Sequence, residues 1–148
     1  KNYYSIPIFI QEKIVKKYEL RIIAFKEKYF SFKIDSQNSD LTKTDWRWGV
    51  GAYNKEFYNL ESDTEQLLYK FLKQFGLRYG VFDFIVDMDN NLWFLECNAE
   101  GQWSAEDELL DREISRTFAE DIYEFGKLSR DSTYGRQAEQ SGEETCTR

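Results

Sequence analysis

The chain has 148 residues, 27 acidic and 20 basic side chains, a formal net charge of −7 and no histidine. That length suits a single domain able to bury about two-thirds of its unfolded surface, and lysines and arginines scattered among the acids leave no continuous basic track for nucleic acid. An aromatic share of 18% with one proline points to ordered, β-rich structure, and the lack of a long apolar run, signal peptide or lipidation motif leads to the expectation of a cytoplasmic protein that engages no membrane.

The two cysteines, Cys97 and Cys146, show none of the repeated spacing of a disulfide framework or zinc site. The sequence opens on Lys1-Asn2-Tyr3 without a methionine and enters a strand pattern almost at once. It is therefore expected to be the interior of a longer protein.

Ile6, Ile8 and Ile10 alternate with other residues, and this period of two predicts a strand within Ile6–Val15. Pro7 belongs near its start, because proline cannot donate to a ladder. Gln11-Glu12-Lys13-Ile14 follows as its charged end. Tyr18–Phe25 and Lys28–Ile34 predict two further strands joined by a turn at Lys26-Glu27. On the first of these Glu19 and Arg21 share a face, since strand side chains alternate. They are either a surface pair, which contributes little, or an acid and a guanidinium acting on one ligand. Asp35–Tyr53 loses the strand period and predicts a loop carrying Asp45-Trp46-Arg47-Trp48-Gly49. There the tryptophans either stack on the stem of Arg47 or present it to an anion.

Ser62-Asp63-Thr64-Glu65 has the capping-box pattern, in which Ser62 accepts the Glu65 amide while the Glu65 side chain reaches back. Leu67, Leu68, Phe71, Leu72 and Phe75 recur at helical spacing and Gly76 supplies a left-handed stop, so a core helix covering one sheet face is predicted. Val81–Val86 and Leu92–Cys97 then predict a hairpin around Asp-Met-Asp-Asn-Asn. With Met88–Asn91 as a four-residue loop, Asp87 faces Leu92 and Asp83 falls opposite Glu96. A slip of one residue would undo that pairing.

Directly opposed side chains have Cβ atoms only ~4.5–5.5 Å apart, and like charges there repel, so a cation is expected between the two acids. Asn98, two residues beyond Glu96, shares its face. Two carboxylates and an amide oxygen are hard ligands of the kind Mg²⁺ takes together with nucleotide phosphates, and no histidine is present for zinc or copper. The same residues also fit the solvated side of an antiparallel sheet; the apolar runs Val81-Phe82 and Trp93-Phe94-Leu95 around the acids weigh against that.

After Trp103, Ser104 is placed to cap a second helix. Glu106, Asp107 and Glu108 sit in its first turn, where the helix dipole favours them, and Leu110, Ile114, Phe118 and Ile122 form one stripe. From Gly126 the composition turns polar without hydrophobic period, and residues 126–148 are expected to be a flexible polar tail.

The run Phe94–Trp103, FLECNAEGQW, preceded by Gly80-Val81-Phe82-Asp83, resembles the metal-binding end of ATP-grasp ligases. More narrowly, it is similar to the segment Phe-Leu-Glu-x-Asn-x-x-Gly-Gln-Trp of the ATP-grasp peptide maturases that make microviridin-type peptides (graspetides), cross-linked by ω-ester or ω-amide bonds. Gln11–Ile14 resembles the QExI hinge of ATP-grasp enzymes, Glu19-Leu20-Arg21 the (Asp/Glu)-x-Arg of ATP-grasp peptide ligases, and Asp45-Trp46-Arg47 the DWR element of the maturases.

The resemblance spans about Ile6 to Tyr123. It implies an α+β fold over residues 1–125: the C-terminal portion of an ATP-grasp domain, a mainly antiparallel sheet with two packing helices. The N-terminal portion, with its phosphate-covering loop and lysines, would then be absent. By the same resemblance Asp83, Glu96 and Asn98 hold the magnesium ions that bridge the ATP phosphates. Backbone groups of Lys13 and Ile14 recognise the adenine edge with Glu12 beside its amino group, and Glu19 lies near the ribose hydroxyls. Arg21 lies near the terminal phosphate, and Arg47 makes a second phosphate or acyl-phosphate contact.

The implied reaction depends on ATP and Mg²⁺: a substrate carboxylate attacks the terminal phosphate, and a hydroxyl or amine displaces phosphate from the resulting acyl phosphate. The implied substrate is a ribosomal precursor peptide whose Asp/Glu side chains are joined to Ser/Thr or Lys. An amino acid or another peptide, as in glutamate ligases, is an open alternative, as is a part that binds nucleotide or peptide without turnover. A β-sheet module for carbohydrate or calcium remains as a third reading, and the chain lacks the DxDxDG spacing of a calcium loop.

Overall fold

The structure, a computed structural model, describes residues 7–142 apart from 9 and 50, with side chains as far as 128. Ile6 and Cys146 lie outside the described residues. Strands β1 (Lys16–Phe25), β2 (Lys28–Asp35), β3 (Asn54–Phe57), β4 (Tyr79–Asp87) and β5 (Leu92–Asn98) form one sheet in the order β3-β2-β1-β4-β5. Every neighbouring pair is antiparallel. Helix α1 (Ser62–Gln74) precedes β4, and α2 (Ser104–Leu109) and α3 (Glu113–Gly142) follow β5. Among the described residues no helix is long and apolar enough to cross a membrane.

Strand alternation divides the core into two layers. Leu20, Ile22 and Ala24 of β1 and Phe82, Phe84 and Val86 of β4 form one layer, covered by Leu68 and Leu72 of α1. Ile23, Phe25, Phe30, Phe32 and Val81 form the other, covered by Ile114 of α3 with Trp103 and Phe118 at its rim. Full burial of each such side chain stabilises the fold by roughly 1.5–3 kcal/mol relative to exposure. Glu19 and Arg21 share the second face with Ile23 and Phe25. That face is therefore apolar where α3 covers it and polar beyond, and the polar end is where the candidate site lies.

Several local expectations are corrected. Residues 10–15 are not strand; β1 begins at Lys16. Its neighbours end near that point, β2 at Asp35 and β4 at Asp87, and Ile8 and Ile10 lie outside the ladders. The capping box does not form: Glu61 is the N-cap with no side-chain cap bond, and the Glu65 amide donates to the Glu61 carbonyl at 3.1 Å. The stop is as expected, with Gly76 at φ 64 and the Leu77 amide donating to the Leu72 carbonyl at 2.8 Å.

The expected second helix is two helices. Asp111 and Arg112 take left-handed φ values of 47 and 66, and Asp107 accepts the Ser115 amide at 3.1 Å, restarting the chain as α3. Ile114 is fully buried and Leu110 and Phe118 partly so, whereas Ile122 is exposed. The α3 backbone continues past Gly126 to Gly142, where the composition leads to the expectation of a flexible tail. Lys127, Arg136, Gln137, Ala138 and Glu139 are good helix formers, and extending an existing helix is far easier than starting one.

Candidate functional site

The β4–β5 hairpin builds the centre of the site. Its ladder begins with Val86 opposite Leu92, one residue out of step with the expected Asp87–Leu92 pair, and Leu95 is an unpaired bulge between Phe84↔Phe94 and Asp83↔Glu96. The two departures cancel, so Asp83 faces Glu96 as the sequence predicts, and Asn98 lies opposite Val81 on the same face. The turn is wound around the Asp87 carboxylate. That group accepts the amides of Asp89 at 2.9 Å and Asn91 at 2.8 Å, the Asn91 side chain at 3.0 Å and the Trp93 indole at 2.8 Å. Led by the indole bond, these contacts hold the Asp87 carboxyl down at about 2.

Arg21 stands at the seam of β1 and β4, directly across from Asp83. Its Nη1 donates to both Asp83 oxygens, at 2.9 and 3.0 Å, and its Nη2 donates to the Gln102 carbonyl at 2.8 Å. Its Nε lies 3.5 Å from Glu106 Oε1 but outside hydrogen-bond geometry, and is buried without a partner. Burial pushes the Asp83 carboxyl above its usual value, and the opposing pull of Arg21 does not offset it.

The second carboxylate of the pair also carries an arginine. Arg47 Nη1 lies 3.2 Å from Glu96 Oε1, while its Nε and backbone amide donate to Asp45 at 2.9 and 3.0 Å. The Trp46 ring gathers three cations: Arg21 Cζ at 5.5 Å, Arg47 Cζ at 6.0 Å and Lys55 Nζ at 5.3 Å from its centroid. Lys55 in turn binds Glu106 Oε1 at 2.5 Å. Arg21, Arg47, Asp83, Glu96, Asn98 and Glu106 all line one cavity of about 310 Å³.

A second cavity, of about 590 Å³, holds Glu12, Lys13, Ile14 and Glu19, with Ile85 and Leu95 as its apolar lining, and Arg47 lines both cavities. All nine residues singled out from the sequence thus fall on two adjoining cavities. Glu19 and Arg21 take different protein partners. Glu19 is buried and its Oε1 accepts Lys16 Nζ at 2.5 Å and the Ser36 hydroxyl at 2.7 Å, whereas Arg21 turns to Asp83.

Among the described residues no three Asp, Glu, His or Cys side chains cluster closely enough to hold a metal by themselves. The candidate set joins two carboxylates to the Asn98 amide, whose Oδ1 also accepts the Glu100 backbone amide at 2.8 Å. Lys55 and Glu106 are the site residues that the sequence reading passes over. Glu106 carries a usable signal, because it stands four residues before Leu110 and so extends the buried stripe backwards.

No protein-family model and no curated protein matches the chain. Solved structures do. A RiPP-associated ATP-grasp ligase from Chryseobacterium gregarium, in complex with ADP and a leader and core peptide, matches at 36% sequence identity and a TM-score of 0.63, covering 67% of this chain and 30% of its own. The chain is similar to a part of this ATP-grasp ligase. The macrocyclase MdnC from Microcystis aeruginosa, bound with precursor peptide MdnA, is 38% identical to this chain with a TM-score of 0.50, covering 62% of it and 28% of MdnC. The macrocyclase MdnB of the same organism is 27% identical with a TM-score of 0.60, covering 74% of the chain and 38% of MdnB. The chain thus spans between 28% and 38% of the length of these three enzymes, and its antiparallel sheet with packing helices is the expected α+β fold.

Proposed function

We propose that this chain forms the magnesium- and nucleotide-binding face of a cytoplasmic ATP-dependent ligase, one that joins carboxylates to amines or hydroxyls through an acyl phosphate, with a precursor peptide as substrate. The observation that carries the reading is the meeting of Asp83, Glu96 and Asn98 with Arg21 and Arg47 in one cavity, beside a second that holds Glu12, Lys13, Ile14 and Glu19. The peptide is proposed because two of the similar ligases were solved with leader and core or precursor peptides.

The donor set fits the ion. Asp83, Glu96 and Asn98 offer hard oxygens and would hold Mg²⁺, which would supply charge neutralisation for the phosphates. Arg21 and Arg47 present planar forks suited to the terminal phosphate and the acyl phosphate, and the unpartnered Nε of Arg21 is consistent with a guanidinium whose interactions are incomplete. Backbone groups of Lys13 and Ile14 read the adenine edge, Glu12 its amino group, and Glu19, fixed by Lys16 and Ser36, the ribose hydroxyls. Phosphoryl transfer asks mainly for positioning and charge neutralisation, so a chain without histidine is no obstacle.

Calorimetric titration with a non-hydrolysable ATP analogue, with and without Mg²⁺, tests the reading. Magnesium-dependent binding that is lost in the Asp83→Asn, Glu96→Gln double variant is the expected result. Silence from both this folded chain and a longer parent containing it would overturn the assignment.

A further inference from the structure

We infer that Glu106 is a positioning residue for Arg21: it grips the guanidinium by the Nε edge, so that the Nη1 edge can leave Asp83 when a divalent cation takes that carboxylate. The inference rests on the metal-site reading above and concerns how the chain keeps its own arginine in place during that exchange.

Both Asp83 oxygens are engaged by Arg21 Nη1, so a cation that binds Asp83 on that edge competes with the guanidinium for them. Arg21 is largely buried, and a buried charge stripped of its partner is strongly unfavourable. Another carboxylate has to take it. Among the described residues Asp83 and Glu106 are the two carboxylates within ion-pair distance of Arg21. Glu106 is itself only 3% exposed, an unusual place for an acid on a six-residue helix.

The Nε edge is ready for this role. Its 3.5 Å separation from Glu106 Oε1 needs to close by only about half an ångström to reach ordinary hydrogen-bond range, and buried N–H groups without partners are rare and costly. Lys55, 2.5 Å from the same Glu106 oxygen, offsets the acid's charge while Arg21 is engaged elsewhere. The Gln102 carbonyl holds Nη2, so Gln102 and Glu106, in the segment that follows β5, carry both polar contacts that remain to Arg21 once Asp83 is withdrawn, beside the Trp46 ring.

The test is a double-mutant cycle on cation affinity. Mn²⁺ stands in for Mg²⁺ and is followed by its electron paramagnetic resonance signal, with thermal stability measured alongside. Glu106→Gln is expected to weaken Mn²⁺ binding roughly tenfold or more, the size of effect usual for outer-sphere partners. Arg21→Met is expected to bind at least as tightly as wild type, and Glu106→Gln to add no further loss in the Arg21→Met background. A purely structural role would lower Tm without this coupling.

Equal losses in both backgrounds, or no loss in either, would overturn the inference. If Glu106→Gln does not fold, the Lys55→Met, Glu106→Gln pair removes the unbalanced lysine and carries the same expectation. If the free ion does not bind, the cycle is read on its complex with the ATP analogue, where Arg21→Met also loses its phosphate contact and only the absence of a further loss on adding Glu106→Gln supports the inference. Wild-type chain that takes up no Mn²⁺, alone or with the analogue, would overturn the metal site itself and this inference with it. Wild-type binding that Asp83→Asn abolishes and Glu106→Gln leaves intact would overturn the inference alone.

Discussion

Asp83 and Glu96 face each other across β4 and β5 because the extra residue Leu95 makes good a one-residue offset at the turn. A bulge bends its strand and re-aims the neighbouring side chain. Here it lets Phe94 stay on the core face, with its ring 5.6 Å from Phe84 and 5.7 Å from Phe71, while Glu96 turns to the opposite face beside Asp83. Two adjacent stretches of one strand thereby serve packing and charge separately.

A carboxylate must be ionised to bind a metal, and burial places the Asp83 carboxyl above 3.8. Cation affinity is therefore expected to hold through neutral pH and to fall, on acidification, before an ordinary carboxylate would titrate. Mn²⁺ titrations at successively lower pH check this. In Arg21→Met, which loses the guanidinium's pull, the fall should begin at a higher pH still.

Arg47 and Glu96 are each about half exposed, and ion pairs of that kind contribute about 0–1 kcal/mol. Arg47→Met is thus expected to leave the chain's stability within about 1 kcal/mol of wild type. Its affinity for the ATP analogue should nevertheless drop roughly tenfold or more, as befits a lost charged hydrogen bond. Denaturation and calorimetry on the same sample separate the two effects.

Gly101 packs directly on β4. A Cβ there would sit 2.5 Å from both Cβ and Cγ2 of Val81 and 3.3 Å from the Asn98 carbonyl. Gly101→Ala is expected to cost about 1–3 kcal/mol, as overpacking does, and to weaken cation binding as well, because the shifted loop carries the Gln102 carbonyl away from Arg21. Denaturant midpoints and Mn²⁺ affinity should both move.

Asp87 holds the turn as a carboxylate, with a folded value of about 2 against an ordinary 3.8. A lowered carboxyl contributes stability above the unfolded value and loses it as pH falls through the folded one. The Tm difference between wild type and Asp87→Ala is expected to be full above pH 3.8 and to vanish by about pH 2.

Strands β1, β2, β4 and β5 and helix α1 were legible because each carries its own period of two or of 3.6, and the carboxylates were legible because they sit on two strands joined by a short turn. Elements that exist only by pairing were not. β3 is four residues, Asn54–Phe57, without alternation, and is strand because Phe32–Asp35 lies beside it. Ile8 and Ile10 show the converse: the alternation is present and they lie outside any strand. Lys55 was invisible for the same reason as its strand. Glu106 stands in the first turn of α2 as the sequence predicts, but its contacts with Arg21 and Lys55 join elements far apart in the chain and leave no local pattern.

The seam between β1 and β4 also governs when the site comes into being. β1–β2 and β4–β5 are hairpins closed by short turns, whereas Arg21 and Asp83 are 62 residues apart in the chain. Joining the two hairpins carries the larger loop-closure entropy, and contacts between distant residues set the slow step of folding. The arginine–carboxylate seat is thus assembled only when the two halves of the sheet zip together, so in a refolding experiment the Arg21–Asp83 ion pair should trail the appearance of hairpin structure and report the last event rather than the first.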